Sequence, residues 1–88
     1  MNDEPSVDVV AVRVLARYVL ELTFSTGEVR VLDVEDSLWG PAFEPLRSDH
    51  AAFTAVRVDP EAATIVWPNG ADLSPEGLYA KSRPPIPA

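Results

Sequence analysis

Eighty-eight residues make one domain, and a chain of this size withdraws roughly 60 to 65% of its unfolded surface from water, enough for a single modest core. Fourteen acidic against seven basic residues give a formal charge of -7, which favours solubility and repels phosphate backbones at long range, against autonomous nucleic-acid binding. The absence of cysteine removes disulfides, thiolate catalysis and thiolate-held metals, and an apolar share of 47% is far too high for a fully disordered chain.

Val7 to Leu15 read V-D-V-V-A-V-R-V-L, a crowd of β-branched residues that pack better on a pleated surface than on a helix, and this predicts a strand. Its alternation is imperfect, with Val7, Val9 and Ala11 on one face and Asp8, Val10, Val12 and Val14 on the other, so a partly covered strand is expected. The segment Y-V-L-E-L-T-F has the cleanest period of two: Tyr18, Leu20, Leu22 and Phe24 oppose Val19, Glu21 and Thr23. Ser25-Thr26-Gly27 supplies a tight turn in which Gly27 is free to take positive φ, and V-R-V-L-D completes a three-stranded meander. If Arg13, Glu21 and Arg30 share the outward face, they form a mixed-charge surface.

At V-E-D-S-L-W the pattern changes to a short helical turn, with Val34 and Leu38 four residues apart on one face and Gly40-Pro41 ending it. Phe43 and Leu46 are spaced to pack one turn onto the sheet, and Ser48 or Asp49 caps a further turn that carries Phe53 inward. A-V-R-V-D and T-I-V-W form a hairpin across Asp59-Pro60, with Val56, Val58, Ile65 and Trp67 on one packed face. The expected fold class is therefore α+β: a small, mostly antiparallel sheet of about five strands with short helices packed on it. Residues 1–80 make the compact domain, and 81–88, K-S-R-P-P-I-P-A, make a proline-rich tail.

The stretch W-P-N-G-A-D-L-S-P-E-G-L-Y reads as a strand exit, a turn and a helix entrance. Pro68 enforces an extended approach and Asn69-Gly70 turns at low steric cost. Asp72 can accept backbone N–H groups, Ser74 serves as N-cap, Pro75 as the first helical residue, and Glu76 favours the positive helix end. Gly77 stands where a full capping box needs Glu or Gln.

With F-S-T-G-E, F-E-P-L and above all I-V-W-P-N-G-A-D-L-S-P-E-G-L-Y, the chain resembles domain-of-unknown-function family 2442, small bacterial proteins, from about Val9 to Tyr79. The matching positions are Trp67, Pro68, Asn69, Gly70, Asp72, Glu76, Leu78 and Tyr79, while Gly77 departs from the family's usual side-chain-bearing residue. The resemblance implies a compact α+β domain, a small protein partner, and genes often paired in a toxin–antitoxin-like arrangement.

Catalytic machinery is not evident in the sequence. Asp72 and Glu76 each have a structural use, Asp33, Glu35 and Asp36 fit the solvated junction of a strand and a helix, and His50 fits a surface or capping position. No calcium loop, His-Glu-x-x-His motif, phosphate loop or nucleophile elbow occurs, so the expectation is a protein with no enzyme activity, metal or cofactor. The candidate interaction residues are Trp39, Trp67, Tyr79, Lys81 and Arg83: the aromatics as interface anchors if exposed, the two cations as a tail that docks on an acidic partner or touches phosphate. A small core's demand for large side chains predicts that Trp39 and Tyr79 are buried. The expected function is a protein-interaction module, the partner or antitoxin-like half of a two-gene unit, with a homodimer through an open strand edge as one form. The alternative is a regulatory nucleic-acid-binding component that acts with a partner or as a dimer. The M-N-D-E-P-S start lacks the pattern of a secretion signal, and no apolar run approaches the roughly 18 to 20 residues of a membrane span, so a cytoplasmic, membrane-free protein is expected.

Overall fold

The computed structural model describes residues 7–85, so the acidic start and the last three residues of the proline-rich tail lie outside the described residues. Strands β1 (Val9–Ala16), β2 (Val19–Phe24) and β3 (Val29–Asp33) form the antiparallel meander, and a 3-10 turn follows at Glu35–Ser37. Helices α1 (Glu44–Ser48) and α2 (His50–Thr54) lead to the hairpin β4 (Arg57–Asp59) and β5 (Thr64–Val66), and α3 (Pro75–Lys81) closes the fold. The five strands are antiparallel, but they divide into a sheet of three and a sheet of two.

The imperfect alternation of the first strand has a geometric cause. Between Val9 and Ala11, and again between Val14 and Ala16, the β1–β2 register shifts, as extra residues in one strand require. Val9 is therefore fully buried, while Val12 and Val14, opposite Leu22 and Leu20, share the inward face that parity alone denies them. The hairpin joins the meander where β1 begins, the Val9 amide donating to the Ala63 carbonyl at 2.9 Å. Tyr18, read as the first strand residue, instead occupies the β1–β2 turn at φ +65°, held by the Val34 amide on its carbonyl at 2.7 Å.

Leu20, Leu22 and Phe24 from β2 meet Val34, Leu38, Leu46, Phe53, Ile65, Trp67 and Leu78 in one core. Trp67 is its centre: its indole is fully buried, donates to the Phe53 carbonyl at 2.9 Å and lies edge-on to Phe43. The helices are too short to stand alone, and each buries one side chain, Leu46, Phe53 and Leu78 in turn, while α2 and α3 also carry side-chain N-caps. Asp49 caps α2 by accepting the Ala51 amide at 3.0 Å, which turns Phe53 inward. Asn69 accepts the Ala71 amide at 3.1 Å, and Gly70 at φ +90° completes the turn that leaves β5.

Ser74 caps α3 as expected, its hydroxyl accepting the Gly77 amide at 3.1 Å. A Cβ at Gly77 would lie 2.9 Å from that hydroxyl oxygen, so glycine at this position makes room for the cap. Ser74→Ala is expected to cost about 1 kcal/mol through loss of the cap, measured by urea denaturation. An unchanged midpoint would show that the cap is redundant.

The compact domain extends beyond residue 80. Lys81 ends α3, Ser82 is buried, and Arg83 pairs with Val31 in an antiparallel bridge, its amide donating at 3.0 Å and its carbonyl accepting at 2.7 Å. The segment read as a free tail thus begins as a short fourth rung on the β3 edge.

Candidate protein interface

Trp39 is 73% exposed, against the expectation of burial. The cause is local: Val34 and Leu38, on either side of the 3-10 turn, already occupy the core, and both are fully buried. Asp33 accepts the Glu35 amide at 2.9 Å and the Leu38 amide donates to the Glu35 carbonyl at 3.1 Å, which fixes the turn. Gly40, at φ +93°, then redirects the chain, and Asn69 ties the far side down by donating its amide to the Ala42 carbonyl at 2.8 Å. Trp39 therefore projects from a short loop anchored at both ends, so little backbone order remains to be lost on binding. Between Asp33 and Glu44 the chain carries four carboxylates and no cation, and all four are exposed.

The other aromatic candidates face inward. Trp67 is fully buried and serves the core rather than an interface. Tyr79 is half-buried: its ring meets Phe24 edge-on at 5.1 Å, and its hydroxyl donates to Glu28 at 2.6 Å. Arg30 lies over the same ring at 4.6 Å and donates to the Ser82 hydroxyl at 2.8 Å and the Ser82 carbonyl. Arg30 pairs across the sheet with Leu22, so it is on the inward side and not beside Arg13 and Glu21 as the outward-face reading supposed.

The Tyr79 hydrogen bond, then that from Thr26 and the nearby Arg30, hold Glu28 below the usual carboxylate range, whereas the Glu28 bond and partial burial raise Tyr79. Glu28's contribution to stability is present above its unfolded pKa of about 4.3 and lost as pH falls through the lower folded value. Tyr79's contribution is present below about pH 10 and lost as pH rises through the higher folded value. Tyr79→Phe is thus expected to lower the melting temperature between those limits and to approach wild type at both extremes. A gap that stays constant from acid to alkali would contradict the pairing.

On the outward side of the meander, one row crosses the sheet: Arg13 opposite Glu21, Glu21 opposite Val31, and Val31 opposite Arg83. Arg13 and Glu21 meet at 3.2 Å, as the outward-face reading anticipated for these two. Lys81 is exposed in the last turn of α3. His50, Asp72 and Glu76 are all exposed, and His50 stacks on Phe53 at 6.0 Å. Among the described residues no helix is long and apolar enough to cross a membrane.

This geometry defines a small α+β domain with an exposed tryptophan in a segment that carries four exposed carboxylates. The chain matches the model of the family described as "Protein of unknown function (DUF2442)" over residues 9–84 and belongs to that family. It is similar to the crystal structure of "Putative DNA Binding Protein NE0471" from Nitrosomonas europaea, at 32% identity and a TM-score of 0.78. The match covers 93% of this chain and 52% of that one, so the chain spans about half the length of the matched protein. Comparison with curated proteins gives no match.

Proposed function

We propose that this chain is a non-enzymatic protein-interaction module that presents Trp39 to a partner. The observation that carries the reading is the 73% exposure of a tryptophan on a loop anchored at both ends. An indole in water forgoes a large burial gain, and flat aromatics on rigid mounts recover it at low entropic cost when a partner covers them. The carboxylates around it and the formal charge of -7 favour a partner surface rich in Arg and Lys, which approaches faster and can place a guanidinium on the indole. The gene pairing implied by the family resemblance supports a partner encoded next door, with this chain as the antitoxin-like half. Copurification from the native host tests this: a basic protein retained by the wild-type chain and lost with Trp39→Ala is the expected result, and retention of the same protein by the variant would contradict it.

A regulatory DNA-binding role is the second reading, favoured by the name of the matched Nitrosomonas protein. That name describes a chain of which the match covers 52%, and the charge of -7 opposes unaided contact with phosphates. A mobility assay on the chain's own upstream DNA, with and without the copurified partner, separates the two. A shift produced by this chain alone would favour the second reading.

A further inference from the structure

We infer that the outward face of the meander is a second docking site, which takes an extended peptide with a carboxylate between apolar residues. The face holds a groove of about 460 Å³ lined by Arg13, Leu15, Glu21, Val31, Arg83 and the two prolines that follow. Its floor is the cross-strand row from Arg13 to Arg83, and its far wall is the segment that bridges to β3. Leu15, two residues on from Arg13 and unpaired between Val14 and Ala16, shares the outward face at 45% exposure and forms the β1 wall of the groove.

Charge sets the chemistry of the occupant. The groove holds two guanidinium groups and one carboxylate, a local excess of positive charge in a chain of net -7. Glu21 engages one nitrogen of Arg13, whose side chain stays 69% exposed, so most of its five donors face outward. The Arg83 side chain has no ion pair among the described residues, while its backbone is held by Val31. Its guanidinium is thus mounted on a fixed backbone and free to meet an incoming carboxylate, with Leu15, Val31 and the prolines taking the apolar neighbours. Repulsion from carboxylates elsewhere on the domain is screened beyond about 8 Å at physiological salt, so an acidic peptide in the groove responds chiefly to the two arginines.

The site has the opposite charge preference from the Trp39 loop, and the two separate cleanly by mutation. A display library of random twelve-residue peptides is selected against the full chain and counter-selected against the double variant R13E/R83E, whose fold is checked by circular dichroism. The expected yield is sequences with Asp or Glu between apolar residues. A synthetic peptide of the consensus is expected to bind wild type and Trp39→Ala equally, to lose at least tenfold in affinity to R13E/R83E, and to shift the amide signals of Leu15, Glu21 and Val31. Overturning results are no enrichment, basic consensus sequences, or binding that survives the double charge reversal. Failure to recover a Trp39-dependent partner with the wild-type chain would count against the proposed function and leave this site standing.

Discussion

Trp67→Ala is expected to leave the chain largely unfolded at 37 °C. Truncating a fully buried large aromatic costs about 3 to 5 kcal/mol, and domains of this kind hold only about 5 to 15 kcal/mol in total, with short chains at the low end. The indole packs against Phe43 at the start of α1 and Phe53 within α2, and its N–H donates to the Phe53 carbonyl. The variant therefore loses core packing together with one hydrogen bond to the Phe53 carbonyl, which keeps the Val56 amide at 3.3 Å. Its melting temperature is expected to drop by more than about 15 °C, read by circular dichroism; Trp67→Phe, which keeps most of the packing, reads the lost hydrogen bond at about 0.5 to 1.5 kcal/mol. A shift of only a few degrees for the alanine variant would mean that the core is not organised around this side chain.

Trp39→Ala is expected to do the reverse. With 73% of the residue in water, removal changes stability by no more than about 0.5 kcal/mol. Against the native partner it is expected to cost at least about 2 kcal/mol, roughly 30-fold in Kd. Isothermal titration with the copurified partner measures the second quantity and thermal melting the first. A destabilised Trp39→Ala protein would place the indole in the fold rather than at an interface.

These two tryptophans also mark how far the sequence could be read. Trp67 ends an apolar strand before Pro68-Asn69-Gly70, and residues that specify a strand exit, a turn and a capped helix act through neighbours two to four positions away. That local chemistry is why β5, the Asn69 turn and the Ser74 cap stand where the sequence placed them. Trp39 was legible as a candidate but not as exposed, because its exposure depends on Val34 and Leu38 filling the core first. Arg30 was misassigned for a related reason: polarity suggested the outward face, whereas the strand register sets it inward, where Tyr79, Glu28 and Ser82 receive it.

Long-range pairing accounts for the remaining differences. The five strands divide into two sheets, and the hairpin meets the meander through the Val9 amide and the Ala63 carbonyl, residues far apart in sequence. Ala63 and Tyr18 both adopt positive φ, at +60° and +65°, with no glycine or asparagine to announce it. The bridge from Arg83 to Val31 likewise turns a proline-rich tail into a wall of the outward groove, a role that composition alone disguises.

The central claim is that Trp39 anchors a protein partner on a domain that folds without it. The most direct measurement is a paired pull-down from the native host under identical expression, with wild-type chain and Trp39→Ala as baits and melting curves recorded for both. The account predicts matching melting curves, a basic partner recovered with wild type, and its loss from the variant. Equal recovery of that partner by both baits would contradict it.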